Sequence, residues 1–228
     1  METLIAEDLL LLLLDDDDGK LTITSYPETV LGGALLVELA VTGAVEVEDK
    51  TSAWRSAKVR TTGEAPTDPL LRAAYDVVGE KARTATDLVS RLGKDSLATL
   101  AGRLADRGIL ERRQDRVLGL FPRTRWPAVD STHEAAVRRA LTSVLVEGVE
   151  PDQRTGALVA LLSAIDKPHK VVDHRGLSSG EVRKRAKRVA EGDWAAKAVR
   201  DAVAASTAAI TAAIVATTAA ASAGGAGS

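Results

Sequence analysis

The sequence predicts a mainly α protein: a single compact helical domain over residues 1–221 with two short β-hairpins, one of them projecting, and a flexible tail over 222–228. Three observations carry that prediction. Apolar residues recur at three- and four-residue spacing between Gly, Pro and Asp stops through most of the chain, which is the spacing of one helix face. Two segments instead alternate apolar and polar residues around a polar turn, as hairpins do. The 228 residues are 45% hydrophobic and 27% charged, enough for one core, and that core must be aliphatic because aromatics make up only 3%.

The elements follow in chain order. Thr3 is placed to cap a first helix reaching Leu14, and the acidic run 15–18 with Gly19 turns the chain. Pro27 suits the first turn of a second helix, which runs through Val30, Leu31, Ala34, Leu35, Glu38 and Val41 and stops at Gly43. Gly32 and Gly33 inside it cost about 1 kcal/mol each relative to Ala, so a close packing contact or a bound ligand is expected there. Residues 44–48 and 56–61 form the first hairpin. Asp68-Pro69 opens a helix to Lys81; Thr84 caps 85–92 and Asp95 caps 96–107, each stopped by a glycine. The second hairpin spans 109–113 and 116–121, with Gln114-Asp115 as its turn. Helices over 132–146, 155–164, 179–191 and 194–221 complete the chain.

Several chemistries are excluded or poorly supported. The chain has no Cys, so it holds no disulfide scaffold, zinc-thiolate site, iron–sulfur cluster or thiol nucleophile. It has no phosphate-cradling glycine loop and no nucleophile elbow. His169 and His174 lie near Asp166 and Asp173, but their spacing fits no helical metal pair, so no metal and no cofactor is expected, and catalysis is not expected either. The apolar run 9–14 is too short to span a bilayer and lacks the flanks of a signal peptide. The uncharged stretch 202–221 is mostly Ala with Ser and Thr and reads as a buried final helix. A cytoplasmic protein that touches a membrane peripherally is the expectation.

The formal net charge of −2 conceals a split. Residues 1–50 carry twelve acids against two lysines, whereas 81–126 carry eleven bases against five acids. A basic middle points to an anionic partner. Val117, Leu118, Leu120 and Phe121 form an apolar hairpin end flanked by Arg112, Arg113, Arg116, Arg123 and Arg125. An apolar tip ringed by arginines suits an anionic membrane surface, where each base contributes about 1 kcal/mol. Those apolar residues equally suit closure of the core. The order helix, turn, helix, hairpin is also that of a winged helix, whose second helix would bring Arg103 and Arg107 to DNA. Nucleic acid ranks below the membrane as a partner.

Four blocks in order, "TLIAEDLLLLLLDDDDGKL", "VLGGALLVELAVTGAVEVE", "LADRGILERRQDRVLGLFP" and "VEPDQRTGALVALLSA", resemble the Golgi phosphoprotein 3 (GPP34-type) family. The Ala- and Arg-rich version here is similar to bacterial, actinobacterial-type members. The resemblance implies a mainly helical domain with a projecting hairpin used in membrane contact and self-association, so a homo-oligomer through the hairpin is expected. Eukaryotic members of the family are not enzymes; they bind phosphatidylinositol 4-phosphate and link glycosyltransferase tails to coat proteins. Their pocket Trp and first pocket Arg fall here at Ile23 and Gly32, and two further Arg fall at Lys94 and Leu97. Lys94 keeps the basic character and Arg91 is the substitute base. The resemblance therefore implies an anionic, phosphoinositide-like lipid site built from Lys94, Arg91, Arg112, Arg113 and Arg116, with Gly32 and Ile23 at the old pocket positions.

Overall fold

In this computed structural model, which describes residues 3–15, 17–22, 24–48, 57–117 and 121–224, helices wrap one aliphatic core. Helix α1 (Ile5–Leu13) is buried along its whole length, including the carboxylates of Glu7 and Asp8. Helix α2 (Pro27–Val41) is its central neighbour, buried from Val30 to Ala40. Around the pair pack α3 (Pro69–Gly79), α4 (Ala85–Gly93), α5 (Ser96–Asp106), α6 (Thr132–Thr142), α7 (Gln153–Ala164), α8 (Ser179–Ala190) and α9 (Lys197–Gly224). Leucines at 9, 10, 12, 13, 31, 39, 88 and 100 are almost fully enclosed, so the core is aliphatic as the composition requires.

The two adjacent glycines of α2 serve packing. A Cβ on Gly32 would sit 2.2 Å from the Val89 carbonyl oxygen, and one on Gly93 would sit 2.3 Å from that of Glu28. The α2 and α4 backbones thus cross in contact at two reciprocal glycines. A Cβ on Gly33 would strike the Ile210 side chain of α9 at 2.5 Å. Gly32 is buried in this crossing rather than presented to a ligand.

The first hairpin is β1 (Val45–Val47) against β2 (Lys58–Thr61), antiparallel with Val47 opposite Val59. A third strand, β3 (Arg83–Thr84), pairs with β2; its two residues are too few to carry an alternation signal in the sequence. The second hairpin is β4 (Arg113–Val117) against β5 (Phe121–Arg125). Its register differs from the expected one: Gln114 and Asp115 are strand residues opposite Thr124 and Arg123, not the turn. Leu110 is buried and bridges to Ala128, so residues 109–110 close the core and the strand begins later. Arg125 Nε reaches Asp115 Oδ2 across the strands at 3.0 Å, which favours this register. Among the described residues, β4 and β5 pack mainly on each other, so this hairpin stands off the helices.

Helix starts match the expected caps at Asp68 and Thr84, whose side-chain oxygens accept backbone N–H groups. Two expected caps differ. Thr3 does not cap α1; its hydroxyl lies 2.9 Å from His133 Nε2, and Glu7 caps instead by accepting the Leu4 N–H at 2.8 Å. Asp95 stands at the α5 N-cap but in the left-handed region (φ 58°), and its carboxylate accepts no cap bond. Helix α6 ends at Thr142 and continues as a π-helical turn, Ser143–Glu147. Asp152 caps α7, which starts at Gln153 rather than Thr155. The final helix starts at Lys197 rather than Trp194 and reaches Gly224, into the segment expected to be tail; residues 225–228 lie outside those described. The segment Lys197–Thr217 is long and apolar enough to cross a membrane, and a third of it is buried against the body. That buried stripe includes Val199, Ala202, Val203, Ala209 and Ile210.

Candidate functional site: a basic hairpin base beside an acidic turn

The hairpin base is built where three segments meet. Asp15 Oδ1 accepts the N–H groups of Asp17 and Asp18, both at 3.1 Å, which curls the acidic turn on itself. Gly19 (φ 61°) then brings the turn against Trp126, whose N–H donates to the Gly19 carbonyl at 3.2 Å. A Cβ on Gly19 would lie 2.1 Å from the Trp126 carbonyl carbon, so only glycine fits. Trp126 is 9% exposed, and the Arg112 guanidinium lies 5.8 Å from its ring centroid. Between turn, α5 and β5 opens a cleft of about 320 Å³, lined by Lys20, Leu97, Arg123, Arg125 and Trp126.

The bases here are not equivalent. Lys20 pairs with Asp18 and holds its carboxyl below the usual range. Arg125 pairs with Asp115, Arg113 with Glu111 (2.8 Å) and Arg91 with Asp87 (3.0 Å). Lys94 is exposed at the end of α4, and neither Lys94, Arg112 nor Arg123 makes an ion pair among the described residues. Of the expected site residues, Arg112 and Arg113 stand at the hairpin base, and Arg91 and Lys94 stand at the end of α4. Ile23, Leu118 and Leu120 lie outside the described residues, as do the side chains of Arg116, Val117 and Phe121. The backbone register pairs Val117 with Phe121 at the far end of the hairpin. Leu97 lines the cleft.

A buried charge cluster lies at α1, joining residues far apart in the sequence. Arg103 Nε meets Glu7 Oε1 at 3.0 Å and its terminal nitrogen meets Asp68 Oδ2 at 2.7 Å. Arg107 reaches Glu7 Oε2 at 3.3 Å. Arg154 donates to Asp8 Oδ2 through Nε (2.9 Å) and Nη2 (2.6 Å), and His133 Nε2 lies 2.7 Å from Asp8 Oδ1. Glu38 accepts the Ile5 N–H, and burial pushes its carboxyl up to about 7 against the pull of that bond and of Arg154, 4.0 Å away. Burial also presses on Asp68, but the Arg103 fork and the Leu70 and Leu71 N–H groups outweigh it and hold Asp68 below its usual range. The available signal was acids inside apolar runs, Glu7-Asp8 before six leucines and Glu38 within "LLVELAV". Such acids need buried partners.

The structure gives the DNA reading no support from the second helix. Arg103 and Arg107 are turned onto Glu7, and the exposed positions of α5 offer Ala98, Thr99 and Asp106, with no base for a groove. Each histidine has a partner within the protein: His133 as above, His169 Nε2 lies 3.2 Å from Arg183 Nη2, and His174 Nε2 donates to the His169 carbonyl at 2.7 Å. Among the described residues no three His, Asp or Glu side chains gather into a metal-binding group.

Compared with known families, the chain matches Golgi phosphoprotein 3 (GPP34) over residues 5–206. No curated protein matches it. The match covers most of the chain, from α1 into α9, and the chain belongs to that family.

Proposed function

From membership in the Golgi phosphoprotein 3 family, we propose that this protein is a peripheral membrane adaptor, not an enzyme, that docks from the cytoplasmic side on anionic, phosphoinositide-like lipid head groups. The observation that carries the reading is the stand-off hairpin with bases at its root that make no ion pair among the described residues: Arg112, which lies over the Trp126 ring, and Arg123, with Lys94 near the cleft residue Leu97 in sequence. Guanidinium groups without an ion-pair partner among the described residues can meet head-group phosphates without giving up a carboxylate, whereas Arg91 and Arg113 must first leave Asp87 and Glu111. The apolar sequence 117–121 supplies residues suited to the acyl boundary. The missing Trp and Arg of the eukaryotic pocket, at Ile23 and Gly32, favour recognition of charge over recognition of one phosphoinositide. Self-association through the hairpin belongs to the same proposal.

Co-sedimentation tests it. The protein is expected to pellet with phosphatidylcholine vesicles containing phosphatidylglycerol at low salt and to stay in solution with phosphatidylcholine alone. Equal recovery with both, or no pelleting with either, overturns the reading.

A further inference from the structure

We infer that a second surface, between α6 and the loop 166–175, is a phosphate-binding site. A cleft of about 400 Å³ opens there, lined by Arg138, Arg139, Thr142, Ser143, Lys170 and Arg175. Its size lies at the lower end of the range of small-molecule clefts, ample for a phosphate group and part of what carries it. Two of its bases are anchored: Arg138 Nε holds Glu134 at 2.6 Å and its Nη1 donates to the Val171 carbonyl at 3.3 Å, and Arg175 pairs with Glu147. The other two, Arg139 and Lys170, are exposed and make no ion pair among the described residues. The acid in the lining, Asp173, already accepts the Arg175 N–H at 3.1 Å. The Ser143 hydroxyl adds a donor at the start of the π-helical turn, an element often placed at functional sites. Guanidinium, ammonium and hydroxyl donors around one small cleft match a phosphate group, whose oxygens accept several bonds at once.

The loop that completes the cleft is held in a costly shape. Asp166 (φ 56°) and Arg175 (φ 44°) are both left-handed without being glycine, and they bracket the segment. His174 Nε2 bonded to the His169 carbonyl and Arg183 Nε 3.0 Å from Asp166 Oδ1 keep it there. Strained backbone of this kind persists where surrounding contacts impose it, and it gathers at ligand sites. A neighbouring cleft of about 490 Å³ shares Arg138 and Lys170 and adds Lys167, but Asp15 and Asp17 also line it, so the phosphate is assigned to the first cleft. The site is separate from the hairpin residues and stands whether or not the hairpin docks on lipid.

The test uses the full chain with two probes: inorganic phosphate followed by 31P NMR, and phosphatidylcholine vesicles containing phosphatidic acid. Wild type is expected to bind phosphate saturably. Replacing both exposed bases (Arg139→Ala with Lys170→Ala) is expected to weaken that binding up to about 25-fold, at up to about fivefold per exposed charge contact. The charge-keeping pair Arg139→Lys with Lys170→Arg is expected to retain it, and unchanged thermal unfolding shows that the fold is intact. Loss on phosphate alone identifies a free phosphate-bearing molecule as the ligand source; loss on vesicles as well identifies a lipid head group. Phosphate binding that is absent from wild type, or equal in wild type and the double alanine variant, overturns the inference. Retained vesicle binding in an Arg112→Ala, Arg123→Ala protein would strike the hairpin reading and leave this one standing.

Discussion

Arginines from one basic stretch of sequence end in opposite surroundings. Arg103 of α5 and Arg107 just past its end turn inward onto Glu7, which has no exposed surface, while Arg112 and Arg123, further along the same stretch, stand at the hairpin root with no ion-pair partner among the described residues. The inner pair and Arg154 neutralise acids that the leucine-rich α1 carries into the core. Removing one partner of such a pair leaves a buried charge exposed to a low dielectric, whereas removing a surface base leaves only water behind. The inner charges therefore hold the fold, and the outer ones are available to a ligand.

The largest effect should come from breaking the inner side. Arg154→Ala strands Asp8, whose side chain is 1% exposed, and is expected to cost about 3–5 kcal/mol in urea unfolding. A loss under about 1 kcal/mol would mean that His133 alone suffices for Asp8.

A pH series sharpens the same comparison. The Glu38 carboxyl titrates near 7 when folded and at its ordinary 4.5 when unfolded. Its raised value means that the folded state favours the protonated form, so the benefit is complete below pH 4.5 and is lost as pH rises through 7. Glu38→Gln should remove that loss and gain on wild type by on the order of 3 kcal/mol between pH 4.5 and 8, read from urea midpoints at each pH. A constant difference across the series would refute the raised value.

The smallest stability effect belongs to the outer side. Arg112→Ala and Arg123→Ala should each change unfolding free energy by no more than about 0.5 kcal/mol. Each should weaken binding to phosphatidylglycerol vesicles about fivefold. The opposite pattern, lost stability with unchanged vesicle binding, would place these arginines with the inner set.

Much of the fold was legible because it rests on local rules. Asp68-Pro69 and Thr84 announce their helices by side-chain caps, and Gly43 and Gly93 stop theirs. The glycine pair in α2 signalled a close approach, and the α2–α4 crossing is that approach. The errors arose where a distant partner overrode a local preference. Gln114-Asp115 has turn composition, yet the buried Leu110 and the cross-strand Asp115–Arg125 pair draw it into β4. Thr3 has cap chemistry, yet its hydroxyl is taken by His133. Of the candidate site, the hairpin was legible from its strand composition, but which of its arginines are already paired was not.

By itself the sequence determined the helical class, the element boundaries to within a few residues, the aliphatic core and the family, since periodicity, caps and ordered blocks are properties of neighbours along the chain. Only the tertiary structure decided which charges are inside. Asp8 and Arg154 are 146 positions apart and meet at 2.6 Å, and Arg139 and Lys170 come from a segment whose net charge is close to neutral yet share one cleft. Electrostatic energy depends on distance and burial in space, and segment totals along the chain measure neither.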